Sequence, residues 1–163
     1  MNNINNIRKI EGRLNRNYPQ TKVAIVAARF NGAIVENMLK GALDIFARSG
    51  IELKNIDLIQ VPGAFEIPLA ALQAAKTRKY QGIVTLGAVI RGATAHFEYV
   101  ASGATNGIMS AMQQTGVPIT FGVLTTETLE QAIERAGSTV GNKGAEAAMA
   151  LLEMIDVLEQ IHE

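Results

Sequence analysis

The stretch GIVTLGAV (82–89) carries no charge and shows no alternation of apolar with polar side chains. A run this short, rich in β-branched residues, suits a strand buried on both faces better than a helix. Outward from it, KVAIVAA (22–28), IDLIQV (56–61) and PITFGVL (118–124) repeat the pattern. Between these runs the apolar residues change to helical spacing, as in Ile34, Met38, Leu39, Ala42, Leu43 and Phe46 before Gly50, and again in Leu69, Leu72 and Ala75. Strands alternating with helices predict an α/β fold with right-handed crossovers. Its form is a three-layer α/β/α sandwich, flavodoxin-like, with a central four-stranded parallel sheet and helices on both faces.

The tail from Gly144 carries Leu151, Leu152, Ile155, Leu158 and Ile161, a helical stripe expected to pack on the sheet. A chain of 163 residues, 48% hydrophobic and 18% charged, can fill one core, so a single domain over 1–163 is expected. Within residues 1–21, IEGRL (10–14) reads as a short strand whose partner is left open, a neighbouring subunit being one choice. The helix after His96 is thin on one side, with Ser102, Gly103, Ala104, Gly107, Ser110 and Ala111. Each interior glycine costs about 1 kcal/mol relative to alanine, so something is expected to approach closely, either within the subunit or from another one.

Lys plus Arg and Asp plus Glu are equal at 15 each, which gives no basic excess for a nucleic-acid partner. The absence of cysteine removes disulfides, thiolate metal sites and a cysteine nucleophile, and two histidines argue against a metal centre. No apolar run approaches the roughly 20 residues of a membrane span, and the start lacks an apolar signal region, so the expected location is cytoplasmic.

In an open parallel sheet, ligands bind beyond the carboxyl ends of the strands. Those ends read Arg29-Phe30-Asn31, Pro62-Gly63-Ala64-Phe65-Glu66, Arg91-Gly92-Ala93-Thr94-Ala95-His96 and Thr125-Thr126-Glu127. Phe30 and Phe65 are either core or the flat wall of a ring site. Glu66 suits a helix dipole as well as it suits a ligand. Gly92, Ala93 and Thr94 precede a helix start, where free N–H groups can hold an anion. His96 follows within one turn and titrates near neutrality in the free amino acid, so it is either a proton carrier or an exposed helix residue. Arg135 offers a bidentate fork for phosphate and Lys143 a compact cation, although both also suit helix ends. There is no GxxxxGK[ST] loop and no GxGxxG after the first strand.

ARFN (28–31), VPGAFEIP (61–68), GAVIRGATAHFEYV (87–100), PITFGVLTTETLEQAIERAG (118–137) and GNKGAEAA (141–148) closely resemble the lumazine synthase family. The resemblance implies a transferase of riboflavin biosynthesis that condenses 5-amino-6-(D-ribitylamino)uracil with 3,4-dihydroxy-2-butanone 4-phosphate, giving 6,7-dimethyl-8-ribityllumazine, and that needs no metal or redox cofactor. It implies that Phe30 stacks on the pyrimidine and that Asn31, Ala64 and Glu66, with Phe65 beside them, meet the ribityl chain. Ala88, Val89 and Ile90 would face the uracil, and Gly92, Ala93, Thr94 and Arg135 would hold the phosphate. His96 would transfer protons, Lys143 would sit beside the uracil carbonyl, and Phe121 would come from the adjacent subunit. Ala64 and Ala95 stand at positions that vary within the family. Homo-oligomers built from pentamers are implied, with active sites between subunits. A 60-subunit shell is the expectation from the uninterrupted 138–144 connection, and riboflavin synthase is an expected partner. Two other readings stay open: a flavin or pteridine binder without turnover, and a structural shell protein.

Overall fold

A computed structural model describes residues 6–13 and 15–163. The chain runs β1 (Val23–Ala28), α1 (Gly32–Arg48), β2 (Ile56–Val61), α2 (Ile67–Lys76), β3 (Gly82–Ile90), α3 (His96–Thr115), β4 (Ile119–Thr126), α4 (Leu129–Arg135), β5 (Ala136–Ser138), β6 (Gly141–Asn142) and α5 (Lys143–His162). β1 to β4 form one parallel sheet in the order β2-β1-β3-β4. β5 and β6 form a separate antiparallel hairpin.

The side-chain period of 2 splits the central strands between two cores. Val23, Ile25 and Ala27 of β1 join the core under α1 and α5, while Ala24, Val26 and Ala28 join the one under α2 and α3. The expectation of strands buried on both faces holds for β1 and β3. It fails for β2, where Asp57, Leu58 and Gln60 are exposed, and in part for β4, where Phe121 and Thr125 are. These two are the outer strands, each with a neighbour on one side only.

The layers are held close by small residues. A Cβ on Gly144 would lie 2.1 Å from the Met38 carbonyl oxygen, so α5 starts in contact with the α1 backbone. On the thin side of α3, a Cβ on Gly103 would meet the Phe65 ring at 2.7 Å and one on Gly107 would meet Pro68 at 2.6 Å. The two glycines therefore admit α2 and its entry turn within the same chain, whereas Ser102 and Ser110 are exposed.

Residues 10–13 of the sequence-predicted strand IEGRL are unpaired in the single chain, and Leu14 and residues 1–5 lie outside the described residues. Instead of joining the sheet, residues 8–13 and 15–18 run along α5. The Arg13 N–H donates to Asp156 Oδ2 at 2.8 Å, and the Arg13 and Arg16 guanidinium groups each reach Oδ1 at 2.6 Å. The Asp156 side chain is fully buried. The Tyr18 hydroxyl donates to the Leu152 carbonyl at 3.0 Å, and Gln160 Nε2 donates to the Glu11 carbonyl at 2.8 Å.

Candidate active site

A cleft of about 660 Å³ opens at the carboxyl ends of β1, β2 and β3. It lies where the sheet order reverses: the chain moves from β1 outward to β2 on one side, then returns to β3 on the other. The connections leaving β1 and β3 diverge there and leave a crevice.

One wall comes from the turns after β1 and β2. Phe30 is 70% exposed and Phe65 61% exposed, so neither ring is buried in the core of the single chain. Asn31 adopts the left-handed conformation (φ 56, ψ 42), which asparagine tolerates better than most residues. From there its Nδ2 donates to the Ala88 carbonyl at 2.8 Å, tying the α1 entry to the cleft floor. Ala64 is buried, whereas Glu66 is exposed at the N-terminus of α2. Ala88, Val89 and Ile90 form the floor, and Gly92, Thr94 and His96 the opposite wall.

Pro62, Gly63, Phe97, Tyr99 and Val100 complete the lining. Tyr99 and Val100 were not singled out from the sequence. Their offsets of three and four residues from His96 place them on the same helix face, which is the signal that could have found them.

Four sequence-predicted residues do not line the cleft in the single chain. Ala93 is exposed in the 92–95 turn beside it. Phe121 lies on outer strand β4, 44% exposed. Arg135 ends α4 with its Nη1 donating to the Gln131 carbonyl at 3.0 Å, and Lys143 starts α5 with its Nζ 2.6 Å from Glu146 Oε2. The predicted site thus divides into one assembled group and three detached residues, two of them cationic.

The family model described as 6,7-dimethyl-8-ribityllumazine synthase matches residues 20–159. The chain belongs to that family. It is accordingly a transferase of riboflavin biosynthesis, and the matched span covers the whole sheet and the cleft. Among the described residues, no helix is long and apolar enough to cross a membrane.

Charge at the cleft rim is organised around Arg91. Its Nε lies 2.6 Å from Glu127 Oε2, its Nη1 pairs with Glu98, and its guanidinium carbon is 4.4 Å from the centroid of the Phe97 ring. The hydrogen bond from Arg91 holds the Glu98 carboxyl below its usual range, while Glu127 and then Glu98 raise the arginine further. Arg91 and Glu98 are therefore both ionised at neutral pH.

Proposed function

We propose that this chain condenses 5-amino-6-(D-ribitylamino)uracil with 3,4-dihydroxy-2-butanone 4-phosphate to give 6,7-dimethyl-8-ribityllumazine. The observation that carries the reading is the cleft itself, which brings Phe30, Glu66 and His96 into one lining in a member of this family. The uracil amine attacks the ketone and loses water to form an imine. Phosphate leaves by elimination, and the ribitylamino nitrogen closes the second ring on the remaining carbonyl with loss of a second water. Holding two substrates in register removes much of the entropic barrier.

In this reading Phe30 stacks on the pyrimidine, Asn31, Ala64, Phe65 and Glu66 meet the ribityl chain, and Ala88, Val89 and Ile90 face the uracil. Gly92, Ala93 and Thr94 receive the phosphate at the α3 N-terminus. His96 carries the protons.

The detached residues belong to a site completed by a second protomer. Phe121, Arg135 and Lys143 reach the cleft of the neighbour in a pentamer, Arg135 on the phosphate and Lys143 beside the uracil carbonyl. Their absence from the cleft lining of the single chain supports this. The proposal extends to one domain over 1–163, to a shell of twelve pentamers in the cytoplasm, to an N-terminal segment that pairs with a neighbouring subunit, and to riboflavin synthase as the partner to seek inside.

The test is to mix purified protein with both substrates and follow lumazine fluorescence together with released phosphate. Both products are expected in equal amounts, with His96→Ala slower by about 10²–10⁴-fold. Arg135→Ala is expected to raise KM for the butanone phosphate above all. Binding of the uracil without phosphate release would overturn the proposal in favour of a binding module.

A further inference from the structure

The helix that presents His96 begins without a side-chain cap. Its N-cap is Ala95, and the one side-chain bond within the turn, from the His96 N–H to Thr94 Oγ1, is long at 3.4 Å, beside a backbone bond from the Glu98 N–H to the Ala95 carbonyl at 3.2 Å. Residues 91 to 96 are all exposed. No capping side chain in the turn fixes the direction of its first residues, which leaves that direction to contacts from outside it.

We propose that Arg91 is the positioning residue that fixes the first turn of α3, and through it the direction of His96 in the cleft. The proposal rests on His96 being the proton carrier. Arg91 is anchored at its own backbone, where its N–H donates to the Thr126 carbonyl at 2.9 Å. Its guanidinium group then makes three contacts at once: the Glu127 carboxylate just beyond β4, the Glu98 carboxylate in the first turn of α3, and the face of Phe97. Phe97 and Glu98 are the two residues after His96. The planar fork thus bridges the strand end to the helix start at the two positions that decide how His96 is presented.

Arg91 does not line the cleft, whereas His96 and Phe97 do. Its effect on the reaction therefore passes through the helix and not through contact with substrate. Exposed ion pairs add little to folding, so the arrangement acts on geometry. A misplacement of about 1 Å at a reacting group can cost about 10²-fold in rate. Lysine would keep the charge but lose both the fork and the stacking on Phe97.

The experiment measures kcat and both KM values in the full chain for Arg91→Gln and Arg91→Lys, each in wild-type and His96→Ala backgrounds. Both variants are expected to lower kcat by about tenfold or more in the wild-type background, with the butanone phosphate KM changed less than about twofold. In the His96→Ala background Arg91→Gln should bring no further loss, because the group it orients is gone. Equal losses in the two backgrounds, or a raised KM at unchanged kcat, would overturn the proposal. A wild-type rate for His96→Ala would instead sink the proton-carrier assignment, which separates the two failures. Should Arg91→Gln not fold, Glu127→Gln releases one arm of the clamp; it should give a smaller kcat loss that also vanishes without His96, and a loss that persists counts against the proposal.

Discussion

The helices α3 and α5 are each 20 residues long and cover opposite faces of one sheet, yet their ends are secured in opposite ways. α5 starts at Asn142, whose side chain accepts from the Gly144 and Ala145 N–H groups while its Nδ2 donates to the Asn37 carbonyl. Further along, its buried carboxylate Asp156 is gripped by two arginines of the N-terminal strap. α3 starts uncapped and is held at its rim by one exposed arginine between two carboxylates. The same ion chemistry thus secures the fold where it is buried and aims a side chain where it is wet.

The sharpest way to break this comparison is Asp156→Ala, expected to lower the unfolding free energy by about 2–3 kcal/mol in denaturant titrations. Turnover per folded protomer should stay unchanged. Acid gives the companion measurement. Hydrogen bonding from Arg13, reinforced by Arg16, holds the Asp156 carboxyl far below the ordinary carboxylate range despite its burial. Because the folded value is depressed, the unfolded chain takes up the proton first, so stability rises with pH across that interval. The contribution is fully present above about pH 4 and is lost as pH falls toward the folded value. Asp156→Asn should flatten that acid slope, and an unaltered slope would show the network to be idle.

Gly107→Ala comes next. The added methyl would press on the Pro68 ring, and the cost of overpacking, partly offset by better helix propensity, leaves a loss of about 1–2 kcal/mol. Sedimentation of the same variant separates this packing within the chain from a role between subunits: assembly lost without loss of protomer stability would contradict it. The smallest effects are a matched pair. Asn142→Ala should cost about 1 kcal/mol. Ala95→Ser should gain less than about 0.5 kcal/mol, because a capping side chain acts from extended backbone, which Asn142 has (φ −129, ψ 109) and Ala95 (φ −69, ψ 0) lacks. A gain equal to the Asn142 loss would show that the α3 start can be secured by an ordinary cap.

The sheet was legible because each strand is a compact Val- and Ile-rich run, and IDLIQV matches β2 residue for residue. Its rank in the sheet was less legible, although Asp57 and Gln60 are polar residues that a strand covered on both faces would not carry. The β5–β6 hairpin escaped because Ala136–Ser138 and Gly141–Asn142 are too short and too polar to show a period. For the site, the rule about strand ends found the walls that follow β1, β2 and β3, each a local sequence feature, whereas Thr125, Thr126 and Glu127 after β4 stand outside the cleft lining. The Arg13–Asp156 clasp was out of reach, because its partners stand 143 residues apart and no local pattern links them. The one hint was an aspartate beside the apolar stripe of α5.

That separation also sets an order in time. The ribosome releases Arg13 well before it has made Asp156, and at roughly 5–20 residues per second the wait is on the order of ten seconds. Through that interval Arg13 waits without the carboxylate that will hold it, although Tyr18 can already bond to the Ser49 carbonyl. The clasp can close only once α5 has been made.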